Sequence, residues 1–337
     1  ARIGKAPDND LTQAWAANVV DLCPVGALLS KDFLNKARAW ELDRTASVCN
    51  GCSQGCNIVV ETRDNIVMRY KPRANDDVNK HFMCDEGRLN YAWLNRPDRL
   101  TWPMVNGAVT GWEGGVAAAA AALKGRKAYV VVNPSLSNET LFLLKKLIDK
   151  TSGAGFFSVP QGPEAPLPGV ADLSVRADRA ANVAGAEWLG FTRTAAPLAK
   201  LSAGDALVLV DVELSDADKA AAAAAGAVIV MGTTEPQRVS GAAAVLPITN
   251  YAEEDGTFTN VRGRGQRYLQ AKATTGAARP AWYILSDLLT ALGDRTEFFT
   301  ASAAFDALAK AETAFSGLSY DRLGLRGATV QGATVTA

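Results

Sequence analysis

Four cysteines form the pattern in this sequence that could do chemistry. Cys49, Cys52 and Cys56 lie on one short segment and Cys84 follows after a gap, which gives the spacing C-x2-C-x3-C-x27-C. Three thiolates from one loop and a fourth from a distant position are typical of the protein ligands around a cubic iron–sulfur cluster. The spacing therefore predicts a [4Fe–4S] cluster held by these four cysteines.

Two other interpretations of these cysteines stay open, a structural zinc site and a set of thiols without metal. Zinc sites usually group their ligands two and two, so the grouping of three and one favours iron. The only histidine of the sequence, His81, stands three residues before Cys84. It could donate a hydrogen bond to a cluster sulfur, but we expect it to be solvated, because the role of a lone histidine depends on its neighbours.

The composition excludes several classes of protein. The 337 residues include 35 basic and 35 acidic side chains, so no charge excess points to nucleic acid or to an anionic membrane surface. No run approaches the roughly 18 apolar residues of a membrane span, and no secretory signal is visible at the start. Five cysteines, four of them in a cluster pattern, indicate a reducing compartment. We expect a protein of the cytosol or one that faces it.

The fifth cysteine, Cys23, lies in the segment Cys23-Pro24-Val25-Gly26-Ala27. A Cys-Pro pair in such a setting is the ending of a bacterial ferredoxin motif, whose last cysteine often binds a cluster begun elsewhere. The usual C-x2-C-x2-C does not precede it, so the motif is weak. From composition alone we expect Cys23 to be a buried free thiol.

The residues around the four cysteines predict a small β-rich unit over 47–100. Residues 58–63 and 66–70 alternate apolar and polar side chains on either side of Asp64-Asn65, which indicates a β-hairpin. Residues 86–95 have helical periodicity, and the Arg96-Pro97 pair ends that helix.

From about residue 112 the pattern changes to alternating helices and strands, which is typical of a parallel sheet covered on both faces. Ser137 and Ser215 stand at predicted helix starts, and Gly226 at a helix end. Helices are predicted over 112–124, 138–151, 216–225 and 280–292, and strands over 129–132, 156–159, 206–212 and 227–231. Residues 162–204 are predicted to be loop with short helical turns. After residue 313 we expect an arm on a neighbouring surface, or partial disorder.

No nucleotide motif accompanies this α/β region. The sequence contains neither G-x-G-x-x-G after a first strand nor G-x4-G-K-[ST]. Gly263-Arg264-Gly265 is interpreted as a basic surface turn, whose arginines would also suit an anion.

Several motifs together resemble the molybdopterin oxidoreductase superfamily and, more closely, the family of the large iron–sulfur subunit of respiratory complex I. They are the four-cysteine pattern followed by Asp85-Glu86-Gly87-Arg88, the box Glu254-Asp255-Gly256-Thr257-Phe258-Thr259-Asn260, and the turn Gly263-Arg264-Gly265-Gln266. Residues 21–28 and 37–42 are similar to the segment that joins the family's ferredoxin-like and molybdopterin-like regions.

The resemblance implies roles for all five cysteines. Cys49, Cys52, Cys56 and Cys84 match the ligands of an additional [4Fe–4S] cluster that only some family members retain. Cys23 matches the last ligand of a second [4Fe–4S] cluster, whose other ligands this chain lacks. We therefore expect either a fragment or a split gene, with those ligands supplied from elsewhere.

The resemblance also implies a molybdenum-free α/β domain. The chain has no cysteine after Cys84 to bind molybdenum, and Glu86 stands where active relatives have a lysine. A carboxylate between a cluster and an anionic pterin is electrostatically unfavourable. The expected order is the end of a ferredoxin-like region (1–46), a [4Fe–4S] domain (47–100), a reduced molybdopterin-oxidoreductase-like domain (101–295) and a C-terminal extension (296–337).

We thus expect an electron-transfer and scaffold subunit in the peripheral arm of NADH:quinone oxidoreductase or a related NAD-linked complex. Its partners would include the NADH- and flavin-binding subunit, and it would lie on the cytoplasmic face of the inner membrane with no catalytic site of its own. Two alternatives remain, a catalytic molybdopterin oxidoreductase of the formate dehydrogenase kind and a purely structural assembly module.

Overall fold

The computed structural model describes residues 11–330. Its strands are β1 (Asp43–Val48), β2 (Asn57–Arg63), β3 (Ile66–Pro72), β4 (Met104–Val105), β5 (Ala108–Val109), β6 (Ala128–Val132), β7 (Ala154–Phe157), β8 (Ala165–Pro166), β9 (Ser174–Val175), β10 (Thr192–Arg193), β11 (Ala206–Val210), β12 (Ala227–Gly232), β13 (Ala244–Pro247), β14 (Gly256–Thr259), β15 (Arg264–Tyr268) and β16 (Ala328–Thr329).

The α-helices are α1 (Asn18–Leu22), α2 (Asp85–Leu89), α3 (Trp112–Leu123), α4 (Asn138–Thr151), α5 (Val183–Trp188), α6 (Asp216–Ala222), α7 (Ala281–Ala291), α8 (Ala301–Ala311) and α9 (Tyr320–Leu323). Short 3-10 helices cover Ala39–Glu41, Ala92–Asn95, Glu235–Gln237, Tyr251–Glu253 and Thr313–Phe315.

A small antiparallel sheet of order β1-β2-β3 carries the cysteine loop between its first two strands. The predicted hairpin is confirmed as β2 and β3. Asp64 and Asn65 take φ angles of 51° and 63°, the left-handed pair that a tight two-residue hairpin turn requires. Ile58, Val60 and Val67 are buried on this sheet, so alternation of apolar side chains fixed its inner face.

The large sheet has eight strands in the order β10-β7-β6-β11-β12-β13-β4-β5. The first six are parallel, which confirms the predicted parallel sheet, and the antiparallel pair β4 and β5 at one edge was not predicted. Val130 and Val208 pack on one face among side chains of α3, α4 and α7. Val131 and Leu209 pack on the other face with Ala222 of α6. The sheet is therefore covered on both sides, as its continuous apolar strands indicate.

Three details differ from the sequence predictions. The helix predicted over 86–95 is broken into α2 and a 3-10 helix. Residues 162–204 contain β8, β9, α5 and β10 as well as loop. The Gly263 turn is the tip of the β14–β15 hairpin rather than a turn outside regular structure. No helix within residues 11–330 is both long and apolar enough to cross a membrane.

The end of the chain packs on the α/β region of the same molecule. Strand β16 pairs with β15, and Phe315 and Leu323 are buried. The Tyr320 hydroxyl donates to the Glu139 carboxylate at 2.8 Å. The arm predicted after residue 313 thus lies on its own chain as far as residue 330, and residues 331–337 are outside the described residues.

Candidate iron–sulfur site

The four predicted ligands line one small cavity. Cys49 follows β1 directly, Cys52 and Cys56 lie on the loop to β2, and Cys84 is the N-cap of α2. Each is only 5–7% exposed. The structure therefore brings together side chains that are up to 35 positions apart in the sequence.

Two glycines shape this cavity. A Cβ atom on Gly87 would lie 3.1 Å from the Cys49 sulfur and 3.2 Å from the Cys84 sulfur, so a side chain there would enter the space between the thiols. Gly55 has a φ of 63°, and a Cβ on it would lie 2.8 Å from Oε1 of Gln266. Gly87 is needed because a side chain would fill the space at the sulfurs. Gly55 is needed because of its left-handed backbone conformation and its close packing on Gln266.

Backbone amides point at two of the sulfurs. The Gly51 amide donates to the Cys49 sulfur at 3.4 Å and the Gly87 amide to the Cys84 sulfur at 3.2 Å. Such N–H groups stabilise thiolates, and around clusters they help to set the reduction potential.

Burial nevertheless keeps the thiols neutral in the protein alone. It raises the pKa of Cys84 to about 12, and it raises the pKa of Cys49 and Cys56 as well. Because metal ligands are thiolates, binding here must release protons, and a cationic group must compensate the buried charge. The four-cysteine site is therefore built for a positively charged inorganic centre.

Four thiols on one cavity are a ligand set that either a multi-iron group or a single ion could use. A tetrahedral zinc site needs all its ligands about 2.0–2.3 Å from one centre. All four thiols line one cavity, and three thiolates from one loop with a fourth from a distant segment are typical of a cubic cluster with one iron per thiolate.

Aromatic side chains enclose the thiols on the side of the small sheet. Tyr70 and Tyr251 are buried in the same apolar cluster as Cys49, and their hydroxyls share a hydrogen bond. Phe258 and Tyr268 extend this cluster. Sequence reasoning missed this shell, because its members are spread over about 200 residues and no local pattern connects them.

Residues far along the chain hold the cysteine loop in place. The Val261 amide donates to the Ser53 carbonyl at 2.8 Å, and Gln266 Nε2 donates to the Gly55 carbonyl at 2.9 Å. From another segment, the Asp178 carbonyl accepts from the Ser53 amide at 3.0 Å. The turn interpreted from sequence as a basic surface feature thus packs on the cysteine loop.

Cys23 is set apart from the other four cysteines. It does not line their cavity, and it is partly exposed, so the expectation of a buried thiol was wrong. Backbone amides of residues 25–28, with Leu28 contributing most, lower the pKa of Cys23. The burial prediction failed because α1 presents this segment to the surface.

His81, the remaining residue singled out from the sequence, is exposed. This agrees with the expectation that it is solvated.

A separate cleft of about 690 Å³ adjoins the cysteines at the carboxyl ends of the parallel strands. Asn133 follows β6 and Asp211 follows β11 at the point where the strand order reverses, the usual ligand crevice of an open α/β sheet. Asn133 donates to Asp211 at 3.0 Å, and Gln237 and Thr233 also donate to Asp211. These polar side chains of the cleft therefore form hydrogen bonds with one another.

The charge of this cleft does not suit a phosphate-bearing pterin. Its charged lining residues are Glu86, Asp211, Glu213, Glu254, Arg96 and Arg179. Arg96 pairs with Asp98 at 2.5 Å and Arg179 pairs with Glu86 at 3.3 Å. Both arginines already have carboxylate partners, and burial raises the pKa of Glu254 to about 8, so that this side chain is protonated near neutral pH. Within residues 11–330, the cleft therefore offers an anionic cofactor no free cation, and no step is assigned to one.

Two family models match the chain. Residues 42–92 match the model described as NADH-ubiquinone oxidoreductase NDSU1/NuoG-like, 4Fe-4S domain, and residues 177–291 match the molybdopterin oxidoreductase model. The first range contains the four buried cysteines, and the second contains the hairpin that holds their loop.

Curated relatives carry related names. The G subunit of NADH-quinone oxidoreductase from Pseudomonas fluorescens is 33% identical over 43% of this chain and 16% of its own length. NADPH-Fe(3+) oxidoreductase subunit alpha of Geobacter sulfurreducens is 36% identical over 44% of this chain and 18% of its own. The mitochondrial NADH dehydrogenase [ubiquinone] iron-sulfur protein 1 of Solanum tuberosum is 36% identical over 48% of this chain and 23% of its own.

The matched part thus spans a sixth to a quarter of the length of these relatives. The family matches and the buried cysteines agree on a [4Fe–4S] cofactor. Residues 42–92 are thus similar to the NDSU1/NuoG-like 4Fe-4S domain, and residues 177–291 are similar to the molybdopterin oxidoreductase family.

Proposed function

We propose that this chain is an iron–sulfur electron-transfer and scaffold subunit in the peripheral arm of NADH:quinone oxidoreductase (complex I) or a related NAD-linked complex. The observation that carries the proposal is the convergence of Cys49, Cys52, Cys56 and Cys84 on one buried cavity. These four cysteines are the proposed ligands of a [4Fe–4S] cluster, and the relatives' names point to respiratory electron transfer.

The chain's own residues would bind, orient and shield the group. The four thiolates hold it, Gly87 leaves room for it, and the shell of Tyr70 and Tyr251 keeps water from one side. When bound, the cluster supplies one-electron exchange, tuned by hydrogen bonds, burial and charge. No acid–base residue is needed for this chemistry, so no independent catalytic site is assigned.

We also propose that Cys23 completes a second [4Fe–4S] cluster, with the remaining ligands on a neighbouring protein segment. Half of the fourteen exposed large hydrophobic side chains of residues 11–330 lie in the first thirty of these residues. They are Leu11, Val19, Leu22, Val25, Leu29, Leu34 and Trp40. An apolar surface of this extent around a partly exposed thiol is typical of an interface, so this surface would be covered where Cys23 acts.

The finer assignments follow the same proposal. The NADH- and flavin-binding site would lie on a partner subunit, and electrons would pass toward quinone on the cytoplasmic side of the inner membrane. Within the chain, the divisions at residues 46, 100 and 295 would separate a ferredoxin-like end, the cluster domain, the α/β domain and the extension.

The test is the metal and sulfide content of the anaerobically purified complex. The proposal expects about four iron and four sulfide per chain from the four-cysteine site, and a tetranuclear paramagnetic signal after reduction. Zinc without iron would contradict electron transfer. Stoichiometric molybdenum would support a catalytic molybdopterin enzyme instead. A purely structural role would be favoured by two results together: full iron loading of the wild-type complex, and an unchanged electron flux per assembled complex in the variant Cys52→Ser.

A further inference from the structure

Arg262 lies on the outer side of the cysteine loop. Its neighbour Val261 pairs with the Ser53 backbone, and Nη2 of Arg262 donates to the Val78 carbonyl at 3.2 Å. That carbonyl also accepts from Gln54 Nε2 at 3.0 Å. The guanidinium and Gln54 thus share one acceptor, which places the cation beside the stretch between Cys52 and Cys56.

The charge of this guanidinium is not matched by a carboxylate. Arg262 donates to the backbone carbonyls of Asp77 at 3.3 Å, Val78 and Asp172 at 2.6 Å. Its Nε atom is buried and has no acceptor. No carboxylate of residues 11–330 lies within 4 Å of it, so its hydrogen bonds fix the group without neutralising it.

Two nearby arginines differ from it in this respect. Arg179 pairs with the Glu86 carboxylate at 3.3 Å, and Arg264 pairs with Asp77 at 2.8 Å. Burial lowers the pKa of Arg262 most, the positive charge of Arg176 lowers it further, and the negative charge of Asp172 opposes the change.

We propose that Arg262 is a positioning residue that raises the reduction potential of the group held by the four cysteines. The inference rests on the proposed function. One-electron reduction adds one negative charge inside a ring of four buried thiolates, where the low dielectric strengthens charge interactions. A fixed cation beside the cysteine loop, with no carboxylate of residues 11–330 within 4 Å, stabilises the reduced form more than the oxidised form.

The experiment is a potentiometric titration of the anaerobically purified complex with dithionite as electron donor, followed by electron paramagnetic resonance. Arg262→Gln removes the charge, Arg262→Lys keeps it with fewer hydrogen bonds, and Arg264→Gln removes a charge that has a partner. At the midpoint potential of the wild-type complex, we expect Arg262→Gln to lower the ratio of reduced to oxidised cluster about tenfold. Arg262→Lys should stay near wild type, and Arg264→Gln should change the ratio much less.

The outcomes separate this inference from the function on which it rests. A wild-type complex without iron at the four-cysteine site would contradict the proposed function itself. Normal iron content with an unchanged potential in Arg262→Gln would overturn the role of Arg262 alone. Equal shifts in Arg262→Gln and Arg262→Lys would also overturn it, because loss of hydrogen bonds rather than of charge would then explain them.

Discussion

Two regions of this molecule bury ionisable side chains, and they compensate the burial differently. In the α/β region the carboxylate of Glu139 is fully buried, and it accepts hydrogen bonds from Thr257 and Tyr320. Around the cavity between β1 and α2, the thiols of Cys49 and Cys84 receive one backbone amide each. Hydrogen bonds from the chain itself satisfy the Glu139 carboxyl group, whereas the four thiols can act as metal ligands only after they lose their protons.

This difference shows which buried groups indicate function. A raised pKa occurs in both regions, so the shift alone does not separate a structural group from a ligand. What separates them is the convergence of four side chains of a metal-ligating type on one cavity. Substitutions that change one region at a time should therefore differ in their effects.

Removing one thiol should have the largest consequence. Cys56→Ala leaves three ligands and an unfilled corner, so we expect iron at this site to fall to near zero and the residues around it to lose stability. Iron analysis and thermal unfolding of the purified complex measure both effects. Cys23→Ala is the matched control, and it should leave the four-cysteine iron in place. Equal iron loss in the two variants would contradict the separation of the sites.

Breaking a buried ion pair should produce the largest effect in the α/β region. Arg99 donates to both carboxylate oxygens of Glu253 at 2.6 and 2.8 Å, and both side chains are buried. Arg99→Met would leave the buried Glu253 carboxylate with Lys272, 3.8 Å away, as its charged partner, so we expect a cost towards the lower end of the about 3–5 kcal/mol of unfolding free energy that breaking a buried pair takes.

The exposed pair of Arg96 and Asp98 provides the control for this change. Arg96→Met should cost at most about 1 kcal/mol. Denaturant unfolding compares the two variants. Equal costs would show that Glu253 keeps sufficient donors without Arg99.

Filling the cavity should have a smaller, steric effect. Gly87→Ala places a methyl group 3.1 Å from the Cys49 sulfur and 3.2 Å from the Cys84 sulfur, so we expect partial loss of iron with little change in the fold. Gly111→Ala is the control, because a Cβ there meets no atom within 4 Å. Iron content per chain measures the effect. Full occupancy in Gly87→Ala would show that the cavity is not where the cluster binds.

The dependence of stability on pH should be the mildest effect. Burial raises the pKa of Glu139 from 4.5 to about 7, against the lowering effect of its hydrogen bonds. Between about pH 4.5 and 7, the folded chain keeps the proton of the Glu139 carboxyl group, whereas the unfolded chain has released it. Stability is therefore complete below about pH 4.5 and falls as pH rises towards 7, by at most about 1.4 kcal/mol per pH unit.

Glu139→Gln should remove this contribution, and unfolding measured between pH 4.5 and 7 would reveal it as a flatter profile. Glu254, whose pKa burial raises to about 8, remains in that variant and keeps a slope of its own. An unchanged profile in Glu139→Gln would contradict the assignment of the slope to Glu139.

Local patterns in the sequence were sufficient for the ligands and for most regular elements. The cysteine spacing identified all four thiols that line the cavity, and Asp64-Asn65 predicted the position of the hairpin turn. Ser137 marked the start of α4, where its side chain accepts from the Thr140 amide at 3.2 Å. Each of these features depends on residues close in sequence.

The surroundings of the site could not be predicted in the same way. Gln266 and Gly55 are in contact across about 210 residues, and the charge environment of Arg262 depends on three carbonyls from two distant segments. The burial of Cys23 was predicted wrongly because a cysteine's average preference does not show which surface a short helix presents. Long-range packing decides such features, and one sequence contains no direct sign of it.

The most direct test of the central claim is electron paramagnetic resonance of the reduced, anaerobic complex, with iron and sulfide counted on the same sample. The account predicts a tetranuclear signal that persists in Cys23→Ala and disappears in Cys56→Ala, with a loss of about four iron per chain. A wild-type sample with zinc in place of iron, or a signal unchanged by Cys56→Ala, would contradict it.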